Sequence, residues 1–414
     1  MKEYRFAAVI SHPIQHYSPL FRELNKVEGL RVKVFYACDH GIRESFDPGF
    51  GATFSWDVPL LDGYEYEFLR QGYSPKKFGF WGVDAQELAR KLDEFDPGAV
   101  WIHGYGQRIC WRALLWARGR ARVLYFGDSE LLHHRTQTSR IAKRLYLPWF
   151  FSRCDAFITI GDNNEAYYRH YGVPHSKMLR GACPVDIERF WTVADSATPE
   201  KRKQVRARHN IPEDAFVVLM SGKLEPHKRP LDLVEALAKA NASLGPESSV
   251  LSLFIGSGPL RRAIEQKAEA LGLKDQVRVT GFVNQAEMPE LMLAGDALAV
   301  TSERDAHPLV VTEALPFGLP VVISDRVGCV GPTDTARPGE NALVYPCGAI
   351  QALADSITRL AADSDLRERM GAASRGVAAT QDLLVTVQTV LEATGWFEQD
   401  SEVGNDEIFE PATG

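Results

Sequence analysis

The sequence lacks the patterns that mark several common classes of protein. Its six cysteines lie far apart and form no C-x-x-C pair, so neither a zinc site nor a disulfide framework is indicated. No uninterrupted apolar run approaches the roughly 18 residues that span a bilayer. The apolar start of the chain is interrupted at His12 and Pro13, too early for the apolar region of a signal peptide. These absences favour a cytoplasmic protein in a reducing compartment.

Signatures of nucleic-acid and dinucleotide binding are also missing. The net charge of -7 provides no general basic field, which argues against nucleic acid as a partner. Gly256 and Gly258 follow an apolar run, but Arg261 stands where a dinucleotide-binding fingerprint has its third glycine. No G-x-x-x-x-G-K-[ST] pattern occurs. NAD-dependent and P-loop enzymes are therefore disfavoured.

The chain is long enough for two domains, because its 414 residues exceed what one ordinary core accommodates. Apolar, strand-like runs alternate with helical stretches up to Tyr171, and the same alternation restarts at Phe216. The segment between the two halves is polar and poor in large apolar residues, as expected of a linker. We therefore predict an N-terminal α/β domain 1–192, a linker 193–209, a second α/β domain 210–378, a C-terminal helix 379–397 and a disordered acidic tail 398–414.

Polar residues that follow the predicted strands of the first domain are candidates for a ligand site. His12, Gln15 and His16 come after the first strand, and His103 and Asp128 come at the ends of later ones. The carboxyl ends of parallel strands border the ligand crevice of such a sheet. A helix cap is the ordinary alternative role for each of these residues.

Cations cluster at the start of the second domain. Gly222 and Lys223 end a strand, and Lys228 lies just before the next helix. Ammonium groups beside the N–H groups of a helix start suit a pyrophosphate. Surface lysines are common, so the cluster alone is a weak signal.

The stretch Thr301–Asp325 is the one around which the second half is organised. It predicts a strand end, a loop, a buried helix of nine or ten residues that begins near Pro308, and a second strand. Asp305 and Glu313 flank the helix start with an x7 spacing. Because a lone carboxylate in a buried helix needs a partner to offset its desolvation, we expect Glu313 to bind ligand hydroxyls.

Each of two aromatic segments has two possible interpretations. Arg140–Arg153 mixes basic with apolar residues, which suits either an anionic membrane surface or an amphipathic helix packed on the sheet. Tyr73–Gly82 is either an acceptor surface or a loop packed by its own rings.

Five stretches, considered together, resemble a bacterial glycosyltransferase of the GT-B fold, family four. The similarity covers most of residues 150–375, in the family's order, and its stretches are GVPHSKMLRGACPVDIERF, SGKLEPHKRPLDLVEAL, FIGSGPLRRAIE, VRVTGFV and AGDALAVTSERDAHPLVVTEALPFGLPVV. The resemblance implies two Rossmann-like domains that face a central cleft, with the C-terminal helix returning to the N-terminal domain. It also implies retaining transfer of a sugar from a nucleotide donor.

The resemblance assigns roles to individual residues. Lys223, in the place of the family's usual arginine, and Lys228 contact the diphosphate, while Glu313 binds the ribose hydroxyls. Asp305 stands one methylene short of the glutamate that touches the transferred sugar. The remaining donor-side residues are Gly222 beside Lys223, the base-bordering Gly281, Phe282 and Val283, and His307, Pro308 and Leu309, which stand at the family's frequent Phe-Gly and just after it.

Of the N-terminal candidates, Asp128 ranks above His103 for the position near the reacting sugar, and His12, Gln15 and His16 form a cleft loop. If the lysines stabilise the leaving diphosphate, no metal is required. The predicted partners are a nucleotide sugar and a saccharide, lipid-linked or natural-product acceptor. The alternatives are a nucleotide-sugar epimerase of the same fold and a non-catalytic relative that binds nucleotide sugars.

Overall fold

A computed structural model of the protein describes residues 3–47, 49–75, 78–133, 136–245 and 249–396. The predicted acidic tail 398–414 lies outside the described residues, as do Lys76 and Lys77 of the aromatic segment Tyr73–Gly82.

The N-terminal half is built on a seven-stranded parallel sheet with the strand order β5-β2-β1-β6-β7-β8-β9, beside a two-stranded antiparallel hairpin, β3–β4. Its elements are β1 Tyr4–Ile10, α1 Ser18–Leu24, β2 Leu30–Tyr36, β3 Ser45–Asp47, β4 Ala52–Phe54, β5 Glu65–Phe68, α2 Leu88–Phe95, β6 Ala99–His103, α3 Arg108–Ala117, β7 Arg122–Phe126, α4 Gln137–Phe151, β8 Ala156–Thr159, α5 Asp162–His170, β9 Met178–Arg180 and α6 Ile187–Asp195.

The C-terminal half is built on a six-stranded parallel sheet with the order β12-β11-β10-β13-β14-β15. Its elements are α7 Pro199–Arg208, β10 Phe216–Ser221, α8 Pro230–Leu244, β11 Val250–Ile255, α9 Arg261–Ala270, β12 Val277–Gly281, α10 Met288–Met292, β13 Ala297–Val300, α11 Leu309–Ala314, β14 Val321–Ser324, β15 Ala342–Tyr345, α12 Ile350–Ala362, α13 Ser364–Ala378 and α14 Leu383–Thr394.

Each sheet is covered on both faces, as parallel sheets are. Along β1, Ala7 and Val9 pack into one apolar cluster, and Phe6, Ala8 and Ile10 pack into another. The alternation follows from the two-residue period of a strand. Strands that are apolar on both faces read as continuous apolar runs, which is why the sequence predicts them well.

The C-terminal helix α14 returns to the N-terminal half, as expected. The hydroxyl of Thr386 accepts the N–H of Ala182 at 3.0 Å and donates to its carbonyl at 2.9 Å. The Tyr4 hydroxyl donates to the carbonyl of Thr394 at 2.9 Å. Together with the two parallel sheets, this helix confirms the predicted fold class.

The segment 193–209 is largely helical, since it contains the end of α6 and all of α7. Arg206 of α7 is 3% exposed and pairs with Asp296 at 2.7 Å. Its guanidinium also donates to the carbonyls of Ala294, Glu213 and Ala215. A polar helix is thus bound to the second sheet through one buried cation.

Among the residues that the structure describes, no helix combines the length and the apolar character needed to cross a membrane.

Candidate active site

The loops that follow the strands of the two halves line two cavities that share Gln15. The larger, of about 530 Å³, has Gln15 and His12 on one side and Lys223 and Glu225 on the other. The smaller, of about 140 Å³, is bordered by Gln15 and by Glu313. The candidate site is therefore a cleft between the two domains.

One lysine–aspartate pair lines the larger cavity, and a second lies on and beside the same loop of the C-terminal half. The ammonium of Lys223 lies 3.0 Å and 2.9 Å from the two carboxylate oxygens of Asp47, which belongs to the N-terminal half. Lys228 pairs with Asp305 inside the C-terminal half. The two lysines predicted to bind phosphate thus lie on one loop, between β10 and α8, and each is beside a carboxylate.

Local backbone geometry fixes Lys228. It ends a 3-10 turn, and Arg229 after it adopts a left-handed φ of 51°. The hydroxyl of Thr301, at the end of β13, donates to the carbonyls of Lys228 and Arg229 at 2.6 Å and 3.1 Å. The strand end therefore holds the lysine next to Asp305.

Gly256 and Gly258 serve the packing of these loops. A Cβ added at Gly256 would lie 2.1 Å from the carbonyl oxygen of Gly222, and one at Gly258 would lie 2.7 Å from the amide nitrogen of Leu224. Only glycine permits the backbone after β11 to approach the loop of Lys223 so closely. These glycines support the lysine loop without forming a dinucleotide fingerprint.

Glu313 lies at the smaller cavity, and its predicted burial is confirmed, since the residue is 8% exposed. Helix α11 carries it, and the chain continues from α11 into a 3-10 turn, Leu315–Phe317. Burial raises the pKa of Glu313 to about 7, although the cation of Arg189 opposes the shift. Among the described residues, none donates a hydrogen bond to this carboxylate.

Arg189 and Gln285 also border the smaller cavity, and sequence reasoning did not single them out. The guanidinium of Arg189 donates to the Gln285 carbonyl and, at 3.0 Å, to its side-chain oxygen. Its Nε is buried and has no hydrogen-bond partner within the described ranges. Arg189 lies within the stretch GVPHSKMLRGACPVDIERF, so its place in that stretch was the available signal.

The structure places His307 in the interface between the domains. Its Nε2 lies 3.2 Å from the Asp334 carboxylate, and the two side chains are 3% and 0% exposed. Burial opposes charge on the ring, but Cys183 and Asp334 raise the pKa of His307 well above its usual value. Asp334 also accepts the N–H of Asp162 at 2.8 Å, across the domain interface. His307 therefore holds the carboxylate of Asp334, which in turn accepts a hydrogen bond from the N-terminal half.

The predicted N-terminal candidates contribute neutral imidazoles. Burial lowers the pKa of His12 and of His16 to about 3, with neighbouring histidines adding to the effect. The pKa of His103 is lowered by burial, against the opposing charge of Asp128. His103 also bonds the Tyr17 hydroxyl at 3.0 Å. Asp128 is exposed, so the two candidates for the reacting position differ in their access to solvent.

The remaining donor-side candidates lie on two loops. Pro308 precedes α11 and supplies no N–H, and Leu309 borders the smaller cavity. Gly281 ends β12, and after it the ring of Phe282 stacks on that of Phe54 with a centroid distance of 4.1 Å. Val283 packs against the apolar core of the C-terminal half.

No group of three or more histidine, cysteine, aspartate or glutamate side chains in the described ranges is arranged to hold a metal ion. The sequence contains one D-x-D triplet, Asp363-Ser364-Asp365. Asp363 caps helix α13, where its carboxylate accepts the N–H of Leu366 at 2.8 Å.

Two parallel-sheet domains on either side of a cleft define the GT-B fold. Solved structures with this fold superimpose on the chain. HepE from Anabaena, solved in complex with UDP, superimposes with a TM-score of 0.67 at 18% identity, over 95% of this chain and 99% of that one. Matches to two sequence-family models identify the family within this fold class. Residues 20–189 match the model described as Glycosyltransferase Family 4, and residues 201–377 match Glycosyl transferases group 1. The chain belongs to the glycosyltransferase family whose two domains these models describe.

Curated relatives agree with that assignment. The lipopolysaccharide core biosynthesis glycosyltransferase LpsD of Rhizobium meliloti is 32% identical over 45% of this chain and 50% of its own. The putative glycosyltransferase EpsD of Bacillus subtilis is 27% identical over 81% of this chain and 78% of its own. The chain spans about half the length of several relatives that it matches. The predicted family is confirmed.

Proposed function

We propose that the protein transfers a sugar from a nucleoside-diphosphate donor to a saccharide, lipid-linked or natural-product acceptor, with retention at the anomeric carbon. The observation that carries this proposal is the polarity of the cleft. Lys223 lines one of its cavities, with Lys228 farther along the same loop, and the Glu313 carboxylate, which has no hydrogen-bond donor among the described residues, lines the other. A nucleotide sugar has complementary groups, an anionic diphosphate next to ribose hydroxyls. HepE, which shares the fold, was solved with UDP and with UDP-glucose.

The lysines would bind the diphosphate and stabilise the charge that develops on it as the sugar leaves. Charged hydrogen bonds from fixed donors stabilise such a leaving group most when the site excludes water. Lys223 and Lys228 would exchange their aspartate partners for phosphate oxygens. With two cations at this end, we propose that transfer requires no metal ion.

Glu313 would accept hydrogen bonds from the two ribose hydroxyls. A carboxylate can accept both at once, and these bonds favour its ionised form. Arg189 stabilises the same ionised form from the side of α6. Ligand binding would thereby supply hydrogen bonds that this carboxylate lacks within the part of the chain that the structure describes.

The transfer step we propose is a front-face displacement. The bond between the anomeric carbon and the phosphate oxygen breaks, and its electron pair stays on the diphosphate. The acceptor oxygen forms its bond on the same face, and the acceptor proton passes to a phosphate oxygen. Asp305 would position the sugar hydroxyls, and Asp128 or His103 would lie near the reacting carbon.

The acceptor would enter through the larger cavity, which His12, Gln15 and several aromatic rings border. Trp56 and Phe78 are among these rings and offer apolar faces to a sugar. Neutral histidines can donate or accept hydrogen bonds with acceptor hydroxyls.

Helix α4 would place the enzyme on the inner face of the cytoplasmic membrane. Ile141, Leu145 and Trp149 are 57%, 76% and 41% exposed and repeat every fourth residue, so they share one helix face. Arg140 and Arg144 are exposed beside them. Flotation with vesicles containing phosphatidylglycerol should retain the wild type and release the variant R140E/R144E, whereas equal flotation of both would contradict this role.

The experiment that tests the function is incubation with radiolabelled nucleotide sugars of each common base, with and without saccharide and lipid-linked acceptors. We expect transfer to an acceptor, or slow donor hydrolysis without one, for at least one nucleotide. Conversion of the donor sugar to its epimer without an acceptor would instead identify an epimerase. Nucleotide binding with no turnover would identify a non-catalytic relative.

A further inference from the structure

Residues 45–47 and 49–57 of the N-terminal half, called the cleft hairpin below, reach across the cleft onto the donor wall of the C-terminal half. The hairpin comprises β3, β4 and the residues after β4 up to Asp57. The side-chain amide of Asn284 donates to the carbonyl of Ser55 at 2.8 Å. The N–H of Ala286 donates to the carboxylate of Asp57 at 3.1 Å. These two bonds anchor the hairpin to the loop after β12.

At the other end of the hairpin, the Asp47 carboxylate has the surroundings expected of a bound phosphate oxygen. Besides the ammonium of Lys223, it accepts the N–H groups of Gly49 and Phe50 at 2.7 Å and 3.2 Å. Partial burial opposes its ionisation, but Lys223 and these amides lower the pKa of Asp47 below its usual value. Asp47 is therefore an anion at neutral pH.

The backbone of the hairpin lies directly on the lysine. A Cβ added at Gly49 would come within 2.6 Å of the Lys223 side chain. The ring of Phe50 lies 4.9 Å from the Lys223 ammonium. While these contacts hold, one side of Lys223 is closed to a ligand.

The aromatic rings of the hairpin cover Phe282. Phe54 stacks on it at 4.1 Å with an interplanar angle of 26°, and Phe50 meets it edge-on at 5.0 Å. The family resemblance implies that the backbone around Phe282 borders the nucleotide base. A flat ring stacked there occupies the same kind of surface that a base would use.

The hairpin therefore contacts both Lys223 and Phe282, and it belongs to the domain opposite the one that would bind the donor. The Lys223–Asp47 pair is also displaceable, because its two side chains remain 36% and 30% exposed. A half-exposed ion pair holds weakly against a ligand with more charge. A nucleoside diphosphate carries more negative charge than one carboxylate.

We propose that the cleft hairpin competes with the donor for its binding site. Asp47 takes the place of the diphosphate on Lys223, and Phe54 covers Phe282, beside which the base would lie. The inference rests on the proposed function. Donor binding displaces the hairpin, and the displaced rings border the acceptor cavity. Occupancy of the donor site and the shape of the acceptor cavity are thereby linked.

The test is calorimetric titration of wild type and Asp47→Asn with UDP, GDP and ADP. Loss of the competing charge should tighten binding of the preferred nucleotide about three- to tenfold, a change of roughly the size of one exposed ion pair. Asp62→Asn is the matched control, since Asp62 is an exposed aspartate of the same half and lies outside the cavities described. It should bind as the wild type does.

Hydrogen exchange provides a second measurement with a definite sign. On nucleotide binding, the backbone amides of the cleft hairpin should exchange faster, while those around Lys228 and Glu313 should exchange more slowly. Slower exchange in the hairpin, or unchanged or weaker binding by Asp47→Asn, would overturn the competitor role and leave the proposed function intact. If neither protein binds any of the three nucleotides, the proposed function is overturned and this inference with it.

Discussion

The two ends of the donor cleft differ in how their charges are balanced. At the phosphate end, Lys223 and Lys228 are each paired with an aspartate. At the ribose end, Glu313 is buried and lacks a hydrogen-bond donor among the described residues, and the pKa of its carboxyl is raised to about 7. A ligand must displace existing partners at the first end and supplies a missing partner at the second.

This difference assigns nucleoside selectivity and control by domain position to opposite ends of the cleft. Preformed pairs balance the charge of each lysine until a more highly charged group arrives. An unsatisfied carboxylate costs stability in the free protein, and a ribose would relieve that cost on binding. Selectivity for a nucleoside should therefore come from the ribose end, and control by domain position should come from the phosphate end.

The largest expected effect concerns Glu313 and the pH dependence of stability. Its pKa rises from 4.5 to about 7 on folding, so the folded state retains a proton that the unfolded state releases. The contribution is fully present below pH 4.5 and is lost as the pH rises through 7. Between these limits the wild type should lose about 3 kcal/mol of unfolding free energy relative to Glu313→Gln. Urea denaturation of both proteins at pH 5 and pH 8 measures the difference.

His307 also has a raised pKa and changes stability in the same direction, but it is common to both proteins and cancels in the comparison. Parallel stability curves for the two proteins across this range would show that the ribose end is already satisfied without a ligand.

The next effect is on donor affinity at the phosphate end. Lys228→Ala should weaken nucleotide binding by about 2 kcal/mol, or roughly 30-fold, because a charged hydrogen bond to phosphate is lost. Asp305 then remains unpaired beside the diphosphate, held in the same domain with its side chain 13% exposed. Calorimetry checks this, with Lys239→Ala, an exposed lysine of α8, as the control. Equal affinities for the two variants would remove Lys228 from the donor site.

Much of this comparison could be predicted from the sequence, because its signals are local. Apolar runs predict the strands, and the x7 spacing of Asp305 and Glu313 lies within one loop and helix. Lys223 and Lys228 follow one strand. Such short-range patterns determine where each side chain emerges from the sheet, whatever the rest of the chain does.

The balancing charges could not be predicted, since they arise from tertiary contacts. Asp47 lies 176 positions before Lys223, in a region of three-residue strands with no clear periodicity. The burial of Arg206 in a polar helix depends on Asp296, which comes from another part of the chain. The contact of His307 with Asp334 likewise joins residues 27 positions apart in the chain. The residues next to each charged side chain in the sequence do not indicate which distant residue will pair with it.

A smaller effect separates the two lysines. Lys223→Ala should weaken nucleotide binding by less than about 1 kcal/mol, because the loss of one phosphate contact is partly offset by freeing the site from Asp47. Asp47 sits in the other domain and can move away with the hairpin, which Asp305 cannot do. Calorimetry on Lys223→Ala beside Lys228→Ala gives the comparison directly. A loss for Lys223→Ala as large as for Lys228→Ala would show that the hairpin offers no competition.

The smallest effect should be on the stability of the fold. Asp47→Asn should change the unfolding free energy by less than about 0.5 kcal/mol, because the pair with Lys223 is half exposed and screened by salt. Asp296→Asn provides the contrast, since it leaves Arg206, whose side chain is 4% exposed, without its carboxylate. Urea midpoints at one pH measure both variants. If Asp47→Asn destabilised the protein as much as Asp296→Asn does, the hairpin would be a fixed part of the domain interface, and its displacement by a donor would cost more than binding could supply.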